Sequence, residues 1–493
     1  MSKLPCADQR QLAPSFGIGK CDGGRVGQHR GAKVAGSSTY CTLGAPPPQL
    51  EGHCGRGRQH AGTRAKVARL ARVYPDTVPE IPHVPLPQAP VPTGPSSAAA
   101  PPGLSSGQML LFAVACGLCV ANIYFAQPLL GPIAAALQLP AGLAGLIMTL
   151  TQLGYGAGLL LLVPLADVME NRRLIVLAMG GAVIGLAGIA LSDSAASFLA
   201  ASFIVGGCAV AAQVLVPLAS HLAPEATRGK VVGNIMAGLL GGIMLARPFS
   251  SIVAAAFGWR AVFWISAALM ALVALVLWRA LPQRRPHGAG GYARTMASLP
   301  GIIGRTPQLR RRAFYQGMMF AAFQAFWTAV PLLLAREFGM GQGGIALFAL
   351  AGAAGALAAP WAGRLADRGL TQPATGAAML AALLSFIIGA VSVHFHSLAG
   401  LVLAAVLLDG AVQLCQVLSL RTLFMLAPEL RGRINGLFMT LIFLCAAAAS
   451  GLAAAIYTFH GWGGLSLLGA AFAVAALLFY STEFRRRSML PAT

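Results

Sequence analysis

The chain has 493 residues, 57% of them hydrophobic and only 10% charged, with a formal net charge of +21. Soluble domains carry about 25% charged residues, so this is a membrane composition, and its basic excess reports loop orientation rather than nucleic-acid binding. The nine cysteines make no disulfide framework, because Cys116, Cys119, Cys208, Cys415 and Cys445 lie inside apolar runs and the rest are scattered near the N-terminus. The CxxC spacing of Cys116 and Cys119 in such a run reads as small packing residues.

Residues 1–105 are rich in Pro, Gly, Ala and Arg, as in "PHVPLPQAPVPTGPSSAAAPPG", with no apolar periodicity. They bury too little to offset ordering entropy and read as a disordered cytoplasmic tail, or as a stretch upstream of a true start near Met109. From Gln108 onward, runs long enough to cross a bilayer follow one another at 109–131, 142–167, 174–192, 197–222, 231–256, 260–281, 313–335, 344–367, 373–393, 397–425, 434–457 and 462–482. The expectation is an all-α polytopic membrane protein. Residues 106–281 form an N-terminal six-helix bundle, 282–312 a basic cytoplasmic central loop and 313–484 a C-terminal six-helix bundle, ahead of a cytoplasmic tail at 485–493.

Of the 23 Lys and Arg residues after 108, 20 fall on one side if both termini share that side; Arg260 and Arg336 fall on the other, and Arg247 lies within a span. The positive-inside rule makes the side with 20 cytoplasmic, so both termini are expected inside; the expected location is the plasma (cell inner) membrane, as a multi-pass protein. The halves also repeat. "QPLL" at 127–130 returns as "VPLL" at 330–333, and "PLAD" at 164–167 as "RLAD" at 364–367. "QVLVPLASHLAPEATRGK" at 213–230 returns as "QVLSLRTLFMLAPELRGR" at 416–433. Three echoes in one order, at offsets of about 200, imply duplication of a six-helix unit and two pseudo-symmetric bundles.

These features resemble the major facilitator superfamily, and within it the twelve-helix drug:proton antiporter group. The loop between helices 2 and 3 resembles the family motif G-x-L-A-D-R-x-G-R-R: Leu165, Ala166, Asp167, Arg172 and Arg173 match, whereas Val163 and Val168 replace a glycine and an arginine. The second copy keeps Gly363, Leu365, Asp367, Arg368 and Gly369. In helix 5, "ARPFSS" keeps the motif's proline without its glycines, and "GWRAVFW" keeps Trp-Arg; the helix-4 arginine used in proton coupling falls near Ser202 and is absent.

The resemblance implies that Asp167, Arg172, Arg173, Arg364, Asp367 and Arg368 form a cytoplasmic gate. Glu225 with Arg228, and Glu429 with Arg431, reinforce it at the ends of helices 4 and 10. Ionisable groups deep in a membrane usually face a cavity. Two such groups stand near mid-depth, Arg247 in helix 5 and Asp409 in helix 10. They either pair across the halves, serve separately as anion anchor and proton site, or hold one half together. The family's cavity is lined by helices 1, 4, 7 and 10. The resemblance therefore makes Asn122, Tyr124, Gln127, Gln213, Gln324, Trp327, Gln413 and Gln416 candidate substrate contacts, joined by Gln152 of helix 2. Amides and aromatics suit a polar or moderately amphipathic small molecule.

The Gly-rich stretches at 154–158, 180–185 and 238–242 carry no Gly-Lys-Ser/Thr, so they read as helix-packing sites rather than phosphate loops. No nucleophile–base or metal-ligand constellation marks an enzyme, and the nine histidines approach a cluster only at His394 and His396. A sensor built on this scaffold would need a folded tail. The expectation is a secondary transporter acting as a monomer in a lipid bilayer, by proton-coupled efflux, without cofactor, metal or nucleic acid. The proton gradient drives it, and uptake or uniport of a sugar or metabolite is the alternative.

Overall fold

The computed structural model describes residues 104–283, 291–426 and 430–488. The expected tail up to residue 103, Glu429 and residues 489–493 lie outside the described residues. All described regular structure is helical. The first helix starts where Ser105 makes a capping box: its hydroxyl accepts from the Gln108 amide at 3.2 Å, and its own amide donates to the Gln108 side chain at 3.0 Å. This α1 runs over Ser106–Ala121, breaks, and resumes through Gln127–Leu129 into Leu130–Ala136. There follow α2 (Ala141–Asp167), α3 (Asn171–Ala190), α4 (Ala195–Leu222), α5 (Arg228–Phe257) and α6 (Trp259–Ala280). The second half opens with α7 (Pro307–Arg336), α8 (Gln342–Asp367), α9 (Thr371–His394) and α10 (Leu398–Phe424).

The last helical stretch, Arg431–Ser488, has 58 residues, far more than the ~20 a crossing needs. Gly461, with φ 62° and ψ −160°, turns the chain between two arms, α11 (431–460) and α12 (462–488). A non-glycine residue would be strained there. The described residues therefore hold twelve apolar segments. The pattern 434–457 and 462–482 located both arms, but it implied a loop where one glycine suffices.

Two further expectations are corrected. The central segment 282–312 is not all loop, because Tyr292–Arg305 forms a helix and α7 already begins at Pro307. The connecting helix has Thr295 and Leu299 buried with Met296, Ile302 and Ile303 packed on the core, while its arginines stay exposed. Its apolar stripe is too short to resemble a span, and the arginines hid it. The first span, expected unbroken over 109–131, is interrupted at 122–126, where the amides of Ile123 and Tyr124 bond only three residues back.

Packing follows the sequence repeat. In the first half α1 packs on α5, α2 on α4, and α3 on α4 and α6; in the second α7 packs on α11, α8 on α10, and α9 on α10 and α12. The two halves meet through α2 with α11 and α5 with α8, pairs that the repeat exchanges. Small residues set these approaches: a methyl at Gly206 would strike the Thr151 carbonyl, so α4 lies directly on α2. The loops at one end carry Arg172, Arg173, Arg228, Lys230, Arg364, Arg368 and Arg431; this end is the basic face, and the other is the opposite face.

Candidate functional site

The break in α1 prepares the site. Pro128 has no amide proton to donate, and the turn before it brings Tyr124 and Gln127 to the middle of the protein. There Gln127 joins three helices: its side-chain amide donates to Gln324 of α7 at 3.4 Å, and its carbonyl accepts from Arg247 Nε of α5 at 2.8 Å. Arg247 is 3% exposed, yet no carboxylate lies in salt-bridge range of it among the described residues. It lies instead among aromatic faces, with its guanidinium carbon 4.2 Å from the Trp327 ring centre, 5.2 Å from Phe323 and 5.3 Å from Tyr124. Its Nη2 is buried without a partner.

Asp409 of α10 meets the same tryptophan at its N–H edge. Trp327 Nε1 donates to Asp409 Oδ1 at 2.8 Å. Here α8 passes through a 3-10 turn, Ala353–Leu357, close against α10; a methyl at Gly355 would strike the Asp409 Cβ. Arg247 and Asp409 are not within salt-bridge distance of each other: one lies over the indole ring and the other accepts its N–H, so the two charges of opposite halves meet through Trp327.

The remaining cavity candidates divide. Gln213 of α4, beside the helix break at Ala209 and Val210, donates to Tyr155 Oη at 3.1 Å, and the Tyr155 ring packs at a tilt of 51° against Phe443 of α11 with centroids 4.5 Å apart. Gln152 is fully buried on the same helix as Tyr155, with both side-chain polar atoms unpartnered. Gln413 and Gln416 lie on α10 toward the basic face and are partly exposed, as is Gln213, whereas Gln127, Gln324 and Trp327 are buried. Asn122 turns away from the others: it accepts from Ser266 of α6 at 2.5 Å, inside the first half. The break that rotates Tyr124 and Gln127 inward leaves Asn122 on the other side of the helix.

Sequence reasoning missed Tyr155, Phe323 and Gln316. Tyr155 sits in the glycine-rich stretch taken only for packing, although its place three residues after Gln152 puts both on neighbouring positions of one face. Phe323 precedes Gln324, and Gln316, fully buried, donates to the Val412 carbonyl of α10 at 3.4 Å.

At the basic face the expected gate is not assembled as one cluster. Asp167 is exposed with no ion-pair partner among the described residues; Arg173 pairs with Glu170 at 3.0 Å, and Arg172 reaches the Leu281 carbonyl at 3.5 Å. Asp367 does hold an arginine, Arg421 of α10, within its own half. The repeat places Leu218 where Arg421 stands, which is why Asp167 lacks the matching bond. Arg364 lies over Trp361 at 5.8 Å, and Arg368 makes no ion pair among the described residues. The expected Glu225–Arg228 pair is replaced by a cap: Arg228 Nε donates to the Ser220 carbonyl at 3.0 Å, as Arg431 Nε does to Phe424 at 2.9 Å. Both arginines close the C-terminal end of the preceding helix, where carbonyls lack partners. Glu429 lies outside the described residues.

Twelve apolar segments in two repeated sets, with opposite charges held at mid-depth between the sets, are the architecture of a membrane transporter rather than an enzyme. The sequence profile described as "Major Facilitator Superfamily" matches residues 110–450, and the chain belongs to that family. It is 42% identical over 389 residues to the "Uncharacterized transporter YgaY" of Escherichia coli O157:H7, covering 78% of this chain and 97% of that one. It is 33% identical over 409 residues to the "Probable transporter SCO4007" of Streptomyces coelicolor, covering 80% and 93%. Among solved structures, a mutant form of the nucleoside transporter NupG matches with a TM-score of 0.61 and 14% identity, over 76% of this chain and 99% of that one, which supports the fold.

Proposed function

We propose that this transporter is a proton-coupled exporter of small amphipathic organic molecules working by alternating access, with its basic face and both termini in the cytoplasm. The observation that carries the reading is the junction of Arg247, Trp327 and Asp409. A carboxylate at mid-depth held by a single indole N–H is suited to gaining and losing a proton as the halves move. The same ring carries the guanidinium from the other half, so a change at Asp409 is felt across the interface. Arg247 Nη2, lacking a partner, offers a donor to an acceptor or anionic group on the substrate. Gln213, Gln413 and Gln416 supply amides, and Tyr155, Phe323 and Phe443 supply aromatic walls.

On this reading the described arrangement is the state open toward the basic face. Asp167, Asp367 and the arginines near them draw the two halves together on that face in the alternate state; here they stand separate, except for the Asp367–Arg421 contact within one half. The test is flux in inverted vesicles across a compound panel, with and without an imposed pH gradient. Accumulation that rises with the gradient supports the reading. Gradient-independent flux removes proton coupling and leaves uniport, and transport only in the inward direction leaves uptake.

A further inference from the structure

On the lipid-facing side of the first half, a groove runs over the outer seam where α3 packs on α6. At the basic face it is a cleft of about 450 Å³ lined by Glu170, Arg172, Arg173, Leu177, Trp278 and Gln283. It continues into a furrow of about 290 Å³ along Gly180, Val183, Ala271, Ala274 and Leu275. Val176 and Trp278 line both, so the two form one groove, charged at its mouth and apolar beyond it.

We propose that this groove holds one anionic phospholipid, its phosphate at Arg172 and Arg173 and an acyl chain in the furrow. Four features fit that occupant. The mouth carries Arg172 and Arg173, with Arg279 on the Trp278 ring at 5.9 Å, against the single carboxylate of Glu170. Trp278 sits where interfacial aromatics lie, in the last turn of α6, with Arg172 at 5.9 Å from its ring. The eleven-residue rise from Arg172 to Val183 is about 16 Å, close to the thickness of one hydrocarbon leaflet. A methyl at Gly180 would meet nothing within 4 Å, so the furrow floor is open. Basic clefts between spanning helices are where anionic headgroups settle.

The experiment is native mass spectrometry of the purified full chain in detergent, titrated with phosphatidylglycerol or phosphatidylcholine. Phosphatidylglycerol should be retained preferentially. Its retention should weaken about thirty-fold when Arg172→Gln and Arg173→Gln are combined, about five-fold per arginine. Gly180→Phe, which fills the furrow without touching a charge, should also lower it, while the pair Arg294→Gln with Arg305→Gln on the connecting helix should not. Equal retention of the two lipids would overturn the proposal. So would an equal loss from the connecting-helix pair, full retention in Gly180→Phe, or displacement of the lipid by glycerol phosphate at a matching concentration.

Discussion

Trp327→Phe separates the two tasks of that ring. Phenylalanine keeps an aromatic face for Arg247, which lies 4.2 Å from the indole centre, but it has no N–H for Asp409, which accepts at 2.8 Å. A hydrogen bond to a charged group contributes about 1.5–3 kcal/mol, against about 1 for a neutral pair. The weaker ring quadrupole removes part of a cation–π contact worth about 2 kcal/mol when desolvated. To isolate the hydrogen bond, Trp327→Phe is combined with Asp409→Ala in a double-mutant cycle, with unfolding followed by denaturant titration in mixed micelles. The coupling should reach about 1.5–3 kcal/mol, a factor of about 10–150 in the unfolding equilibrium. Additivity within about 0.5 kcal/mol would show that the indole and the carboxylate are neighbours without a strong bond, and the junction would lose its link to α10.

Exchanging the charges, Arg247→Asp with Asp409→Arg, should restore no transport lost in either single variant: an aspartate at 247 would lie against the negative faces of three rings, and an arginine at 409 would meet an N–H donor. Recovered flux in vesicles would instead show direct pairing. Asp367→Asn should change thermal stability by less than about 1 kcal/mol, since its pair with Arg421 is exposed, and Asp167→Asn should leave it unchanged. Flux should fall strongly in Asp167→Asn despite normal membrane insertion, and wild-type flux there would remove Asp167 from the gate. Gly206→Ala should destabilise by about 1–3 kcal/mol or more by forcing α4 off α2, whereas Gly180→Ala, facing open space, should be neutral or stabilise by up to about 1 kcal/mol; equal unfolding midpoints for both would refute the close-approach argument.

What the sequence made legible follows from how far each signal reaches. Span positions and the repeat were readable because twenty apolar residues in a row have few alternatives in lipid, and the repeat carries its pairing partners with it: α2 on α4 implies α8 on α10. Arg247 and Asp409 were found for the same reason, since a charge at mid-depth stands out against its neighbours. Their relation was not readable, because it depends on Trp327, whose position is set by α7, and on Gly355, which lets α8 reach Asp409. Rotation about a helix axis is likewise invisible in composition: the break before Pro128 turns Gln127 toward Arg247 and Asn122 toward Ser266, though both residues looked alike as polar intrusions. The gate shows the same limit more sharply. Motif similarity placed Asp167 and Asp367 at equivalent ends of α2 and α8, but an aspartate works through its partner, and the partner is Arg421 in one half and Leu218 in the other. The aspartate is kept at the end of both helices, while divergence on α4 and α10 decided which copy holds a bond. In the proposed gate the two halves would therefore contribute unequally: Asp367 of α8 is tied to α10, whereas Asp167 has no ion-pair partner among the described residues.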